Sequence, residues 1–260
     1  KRVPNTAEVK IDPVTNTLNR DAVETIMNPY DGYSLEAAAR IRDKYPDTRI
    51  VALCMGPEKA KSVLKDALAI AADDVYLASD RAFGGSDTLA CSYILSEVIK
   101  KIEETEGKFD AIFCGKQSID GDTAQVGPEI AEHLGIPQVT CALEAEPEGD
   151  LLKVKKETEE GLQIIGAKLP CLVTFTKPAW DPRLPTIKRK LAASRAEIKV
   201  LTAAEVPGID TLRTGLSGSP TKVKKTYVPS RKQDGIIIRD KEPEDAAREL
   251  AGLLEAANVL

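Results

Sequence analysis

The sequence holds a single histidine, His133, among 260 residues. Ser–His and Cys–His catalysis both need a base beside the nucleophile, so that scarcity makes either improbable. His133 falls in a stretch with helix spacing and reads as a surface or helix-end residue. The five cysteines, Cys54, Cys91, Cys114, Cys141 and Cys171, are scattered and have no CxxC spacing. Neither a zinc site nor a disulfide framework fits that scatter, whereas a reducing, cytoplasmic setting does. Cys54, Cys114 and Cys171 lie in apolar runs, as small buried residues do. Aromatics are sparse at 4%, so Ala, Val, Leu and Ile must fill the core. No apolar stretch is long enough to span a bilayer, and no signal peptide is visible. A net charge of -5 gives no general pull towards nucleic acid or an anionic membrane. Two basic runs exist, Lys188-Arg189-Lys190 and Lys222 to Lys225. A solvated face is the default reading of each, and a docking surface for a protein the alternative. Phosphate-loop fingerprints are missing too: Gly115-Lys116 is followed by Gln117 rather than Ser or Thr, and no GxGxxG occurs.

What is present is a hydrophobic content of 42%, enough for a core, and a regular alternation of strand and helix signals. The chain opens at Lys1-Arg2-Val3-Pro4, with no room for a strand before Pro4. Val9 to Pro13 and Thr17 to Asn19 read as a small hairpin around Thr15-Asn16. Asn28-Pro29 signals a turn into a helix with Leu35, Ala38, Ala39 and Ile41 on its apolar side, stopped by Pro46. Arg49 to Met55 reads as a buried parallel strand, and Gly56-Pro57 opens the next helix. Asp74 to Ala78 is a strand, Gly84-Gly85-Ser86-Asp87 a loop and cap, and Thr88 to about Glu104 a long helix. This order predicts a doubly wound, mostly parallel α/β sheet of Rossmann-like type. Beyond Gly135 the pattern becomes antiparallel, over Val139 to Leu143, Leu151 to Lys155 and Leu162 to Ala167. Leu169 to Phe175 is again a buried strand. A proline-rich loop, 179–186, leads into a basic helix, Ile187 to Ala193. Gly208 to Thr221 is rich in Gly, Ser, Thr and Pro and reads as a linker. Lys241 to Leu260 carries an amphipathic helix with Ala246, Leu250, Leu253, Leu254 and Ala257 on one face. A lone helix of that length is marginal in water, so it should pack on something, such as another chain. The expected division is a nucleotide-binding domain over 1–207 and a linker with a C-terminal arm over 208–260.

One stretch concentrates ligand-binding signals. The apolar run Phe109 to Cys114 is followed by Gly115-Lys116-Gln117-Ser118-Ile119-Asp120-Gly121-Asp122-Thr123-Ala124-Gln125-Val126-Gly127, and then by helix spacing from Pro128. In an open α/β sheet such a loop lies at the carboxyl end of a strand, where ligands bind. Its length and its many hydrogen-bonding groups favour a nucleotide over an ordinary short connection. Gly115 and Gly121 would let backbone approach a ligand or turn with positive φ. Asp122 or Thr123 would cap the following helix, whose free N–H groups favour a phosphate. Asp120 and Asp122 could also hold magnesium, though capping is the better reading. Right-handed crossovers would bring Asn28, Met55 and this loop to one crevice. Residue chemistry alone stops at an α/β protein that binds an adenine nucleotide or similar ligand, with no catalytic apparatus of its own.

Three segments resemble the beta subunit of electron-transfer flavoproteins. They are Asn28-Pro29-Tyr30-Asp31, the loop from Gly115 to Gln125, and Val154 to Ile165 closing with Pro170-Cys171-Leu172-Val173-Thr174. The resemblance covers nearly the whole chain. It implies a heterodimer with an alpha subunit that carries an electron-shuttling FAD, and a terminal arm that joins that subunit's flavin domain. It implies nucleotide contacts from residues 28–31 and 115–125, to which the crevice expected from topology adds Met55 and Val126, and docking of an acyl-CoA dehydrogenase-type flavoenzyme through Leu184, Pro185 and Ile187. Leu184 would be the docking side chain, a buried loop leucine being the plainer alternative. The family's short apolar strand ahead of the Lys-Arg-Val segment, which carries a small residue against the adenine, has no counterpart here. Members hold either a structural AMP or a second FAD that oxidises NADH and bifurcates its electrons to ferredoxin or flavodoxin and to the alpha-subunit FAD. Gly121, Ala124 and Tyr30-Asp31 resemble the FAD-binding, bifurcating branch, since small groups at 121 and 124 leave room for a flavin-bearing diphosphate. An ATP-binding or ATP-hydrolysing α/β protein is the rival from another class.

Overall fold

A computed structural model describes residues 1–5, 24–224 and 235–259. The hairpin expected around Thr15-Asn16 lies outside the described residues. Contacts divide the chain into two units, Lys1–Lys224 and Lys225–Leu260.

The first unit begins with β1 (Arg2–Pro4) paired antiparallel to β2 (Thr25–Met27). The opening residues are thus themselves a short strand, contrary to the expectation that no strand fits there; its partner was hidden in a stretch that reads as a turn. Then follow α1 (Pro29–Lys44), β3 (Val51–Met55), α2 (Lys61–Ile70), β4 (Asp74–Ala78), α3 (Thr88–Glu106), β5 (Ala111–Gly115) and α4 (Val126–Leu134). The rest of this unit comprises β6 (Gln138–Glu148), β7 (Leu151–Thr158), β8 (Gly161–Lys168), β9 (Cys171–Phe175), α5 (Ile187–Arg195), β10 (Lys199–Leu201) and α6 (Gly215–Gly218). Strand–helix alternation gives parallel pairing, as expected. The strands fall into two main sheets, ordered β10-β4-β3 and β5-β9-β6-β7-β8. All pairs of the first are parallel, as are β5-β9 and β9-β6, while β7 and β8 add antiparallel strands. Among the described residues β3 and β5 are therefore edge strands. The run from Ala111 to Gly115 is half-buried instead of fully buried.

Helix α1 is shared by both sheets, and its run of small residues explains how. Ala39, with Leu35 and Ala38, packs in the cluster around α2, β3 and β4. Ala37, with Tyr33 and Ile41, packs in the cluster around β6, β7 and β9. Helix α3 turns Tyr93, Ile94, Val98 and Ile102 onto β4, and its Ile99 joins Ile130 and Ala131 of α4 over Leu172. Asp87 starts α3 by accepting from the Ala90 N–H at 3.1 Å. At the amino ends of β3, β4 and β10, Glu106 is buried with Arg49, Lys199 and the Tyr76 hydroxyl around it. The hydrogen bond from Tyr76 and the neighbouring cations hold its carboxyl below the usual range.

The segment 208–221 is not a free linker. The Tyr93 hydroxyl donates to Gly208 O at 3.0 Å and accepts from the Asp210 N–H at 2.9 Å. Gly215 N–H donates to Ser86 Oγ at 3.0 Å, and Ser219 Oγ donates to Gly215 O at 2.6 Å while accepting from the Asp87 N–H at 2.8 Å. Its Gly and Ser content serves tight turns and side-chain hydrogen bonds, which composition alone cannot distinguish from looseness. Gly215 has φ +55°, and a Cβ there would lie 2.3 Å from Ala82 O.

The second unit contains α7 (Pro243–Ala256), which has no buried residue; Leu250 on its apolar face is half exposed. Among the described residues no helix is long and apolar enough to cross a membrane.

Gly215→Ala tests the packed reading of 208–221. The backbone clash and left-handed φ should lower stability by about 1–3 kcal/mol in urea unfolding. A free linker would tolerate the change without a shift in midpoint.

Candidate functional site

The site is built where the carboxyl ends of β3, β4 and β5 meet the start of α1. Asn28 precedes α1 and is 1% exposed. Its Nδ2 donates to Gln117 O at 2.8 Å, and its Oδ1 accepts from the Ile119 N–H at 3.2 Å. One buried amide thus fastens both edges of the 117–119 turn. Asp31, in the first turn of α1, accepts from the Gly115 N–H at 3.3 Å. A Cβ on Gly115 would lie 2.5 Å from Asp31 Oδ1 and 2.7 Å from Tyr30. Gly115 therefore makes room for Tyr30 and Asp31. Lys116 N–H ties the loop to β9 through Phe175 O at 2.8 Å.

Beyond residue 119 the loop folds on itself. Gly121 and Asp122 N–H groups both reach Ser118 O at 3.0 Å. Asp120 pairs with Lys1 Nζ at 2.6 Å and accepts from the Ser118 hydroxyl. Asp122 accepts from Gln117 Nε2 at 2.7 Å. The backbone then passes through left-handed conformations at Asp122 and Ala124. Helix α4 begins at Val126 after Gln125, without a side-chain cap. The expectation that Asp122 or Thr123 caps it is overturned: the Asp122 carboxylate is held by Gln117, and two left-handed turns separate it from the helix. First-turn N–H groups of a helix have no intrahelical partner, so this end is suited to an anion. Among the described residues no group of His, Cys, Asp or Glu could hold a metal ion.

A cavity of about 1880 Å³ opens at this edge and continues along β3 and β5. Of the residues expected at the site, Asn28, Asp31, Met55, 115–118, Gly121 and 123–126 line it. Pro29, Tyr30, Ile119, Asp120 and Asp122 do not. The last three are engaged within the loop or by Asn28, so they shape the wall from behind. Sequence reasoning missed the β4–α3 connection, whose residues 79–81 and 83–88 also line the cavity. Gly84-Gly85-Ser86-Asp87 was legible as a loop, and the parallel-strand rule would have placed it on the same edge. Cys54, Cys91 and Cys114 face this space as well. Burial pushes the Cys91 thiol up to about 11 and the Cys114 thiol up to about 12. At neutral pH both are protonated, and a thiol is a poor nucleophile. The cavity thus offers backbone donors, small side chains and apolar walls beside the charged groups of Asp31, Asp80, Arg81 and Lys116, with no activated nucleophile from the thiols.

The residues expected to dock a partner lie elsewhere. Leu184 and Ile187 are each 88% exposed, and Pro185 is partly buried. The plainer reading of Leu184 as a buried loop leucine does not hold. His133 is half-buried in α4, its ring edge-on to Tyr93 with centroids 5.9 Å apart.

Removing the Asn28 amide isolates its contribution. Asn28→Ala leaves Gln117 O and Ile119 N–H without that partner, so stability should fall by about 1–3 kcal/mol. Hydrogen exchange at 117–119 should rise with it; unchanged exchange there would show that the loop is held by other contacts.

Residues 15–206 match the electron transfer flavoprotein domain. The chain is 49% identical to the electron transfer flavoprotein subunit beta of Megasphaera elsdenii, over 95% of this chain and 92% of that protein. It is 42% identical to protein FixA of Azorhizobium caulinodans, over 92% and 86% of the two chains. It is 39% identical to CarD of Acetobacterium woodii, named a subunit of a caffeyl-CoA reductase-Etf complex, over 100% and 97%. The chain belongs to the electron transfer flavoprotein family.

Proposed function

We propose that this family member holds FAD in the crevice between Asn28, Met55 and the 115–126 loop, and that NADH is oxidised there. The observation that carries the reading is the small-residue wall at Gly121 and Ala124. Both line the cavity, and a Cβ on Gly121 would meet nothing within 4 Å. That open space leaves room for a diphosphate carrying a flavin beside the uncapped end of α4. Backbone N–H groups of the loop and of the first turn of α4 would hold the diphosphate. Asp120 and Asp122 are engaged within the loop, which keeps two carboxylates from facing it. Asn28 and Met55 would lie against the adenosine half. When bound, the flavin supplies the hydride-accepting chemistry; the chain binds it, orients it and limits its exposure to water.

In this reading one electron of each NADH pair goes to the alpha-subunit FAD and the other to ferredoxin or flavodoxin. The alpha-subunit FAD then serves an acyl-CoA dehydrogenase-type flavoenzyme, docked through Leu184, Pro185 and Ile187. The exposure of both aliphatic residues supports that role, as apolar anchors dominate interface energetics. The naming of CarD as part of a complex with caffeyl-CoA reductase supports a partner of this class. Helix α7, with its apolar face unburied, would pack on the alpha subunit. An ATP-hydrolysing reading is disfavoured by the family match and by the separate engagement of Asp120 and Asp122.

Gly121→Asp adds bulk and negative charge without a steric clash in the chain itself. It should lower FAD content several-fold and abolish NADH-dependent ferredoxin reduction while leaving the unfolding midpoint nearly unchanged. The visible spectrum and extracted nucleotides of the wild-type heterodimer set the baseline, and AMP in place of a second flavin would refute FAD binding at this site. Deleting residues 241–260 should weaken association with the alpha subunit by at least about tenfold, which is 1.4 kcal/mol. Unchanged affinity in a titration of the truncated chain would refute the arm.

A further inference from the structure

We propose that Arg183 is a positioning residue, which holds the 184–187 segment in its docking shape before any partner arrives. The inference rests on the docking reading above. It comes from an ion cluster that neither the nucleotide crevice nor the core requires.

Arg183 reaches from the β9–α5 connection onto α1. Its backbone N–H donates to Glu36 Oε2 at 3.1 Å, its Nε to the same oxygen at 2.7 Å, and its Nη2 to Oε1 at 3.1 Å. The outer edge of the guanidinium donates to Asp43 Oδ1 at 3.2 Å and Oδ2 at 2.6 Å. Two carboxylates about two turns apart on one face of α1 are thus bridged by one planar fork, a geometry lysine cannot reproduce. Glu36 is 3% exposed, and a carboxylate so buried is costly unless paired. Arg40 Nε also approaches Glu36, at 3.3 Å, and the Arg40 guanidinium lies 4.8 Å over the Trp180 ring of the same connection. The upstream half of the loop is therefore pinned to α1 at two points.

The downstream half is pinned to α2. Thr186 caps α5 by accepting from the Arg189 N–H at 3.2 Å. The Arg189 side chain donates to Leu68 O at 2.8 Å, Ala69 O at 3.1 Å and Ala72 O at 3.3 Å, at the carbonyl end of α2. A cation there complements the negative end of the helix dipole. Lys65 returns the contact at the far end of α5, donating to Ser194 O at 2.8 Å. Between these anchors stand Leu184 and Ile187, both turned to solvent. Two aliphatic side chains would gain by folding back onto the chain; the anchors prevent that. Ordering a loop in advance removes its entropy cost from the docking step, so binding tightens without a new contact. The occupant is the dehydrogenase-type flavoenzyme, through an aliphatic pocket that receives Leu184 and Ile187.

The test uses the assembled heterodimer and a purified acyl-CoA dehydrogenase as electron partner, with heterodimer concentration varied. Arg183→Gln should raise KM for the heterodimer by about tenfold, the loss of roughly one charge-assisted hydrogen bond, with kcat and flavin content nearly unchanged. Hydrogen exchange at 181–187 in the free heterodimer should accelerate. Leu184→Ala should raise KM without accelerating exchange, which separates contact from positioning. Arg183→Lys, keeping the charge but not the fork, should recover only part of the KM. Faster exchange with an unchanged KM in Arg183→Gln would overturn the inference, as would unchanged exchange. If Leu184→Ala also leaves KM unchanged, the docking reading itself fails. Should Arg183→Gln not assemble, Glu36→Gln weakens the same clamp with less steric change and is read by the same two measurements.

Discussion

A buried primary amide connects the two halves of the crevice. Asn28 supplies one donor and one acceptor to backbone groups on either side of Ser118, and no hydrophobic residue could do both. The loop it fastens is long and polar, and such a loop would ordinarily be mobile. Because Asn28 sits immediately before α1, the loop takes its position from that helix, and Asp31 extends the hold to the end of β5. Gly115 follows from the same constraint, since α1 approaches β5 too closely there for a Cβ.

Helix α1 then has a second duty further along. Its first turn sets the crevice, while Glu36, Arg40 and Asp43 set the connection that presents Leu184. On its remaining faces Ala37, Ala38 and Ala39, among larger neighbours, let two sheets approach it. A helix of larger side chains could not lie in contact with both. The 115–119 segment and the 180–183 segment are therefore both fixed to one rigid element, and their spacing is set by helix rise, not by loop conformation.

Much of this was legible from residue pattern. Asp74 to Ala78 was readable to the residue, because an apolar run bounded by turn signals has few alternatives at that length. The antiparallel strands β6 to β8 were readable by alternation, and the loop at 115–127 by its place between an apolar run and helix spacing. What failed were features decided by tertiary partners. β10 is three residues long and exists because it pairs with β4. The segment 208–221 looked like a linker because Gly and Ser signal looseness and tight turns alike; only Tyr93, Ser86 and Asp87 decide between them. The Asp122 cap failed because Gln117 competes for the same carboxylate, and nothing local ranks the two partners. Arg189 stood within a basic run that reads as a solvated face, yet its side chain ends on two carbonyls of α2 and on Ala72 O just beyond that helix.

Charged side chains are paired at both ends of the strands, and this bears on what the chain contributes to chemistry. At the amino ends of the strands Glu106 is buried among Arg49, Lys199 and Tyr76, so opposite charges meet and are neutralised. At the carboxyl ends the loop carboxylates are engaged by Lys1 and Gln117, and two cavity thiols are held neutral by burial. Beside the charged side chains of Asp31, Asp80, Arg81 and Lys116, the crevice keeps backbone N–H groups at the uncapped start of α4. Such groups attract an anion but neither accept nor release a proton near neutral pH. Backbone donors of this kind suit a phosphate-bearing ligand better than acid–base chemistry by the chain's own side chains.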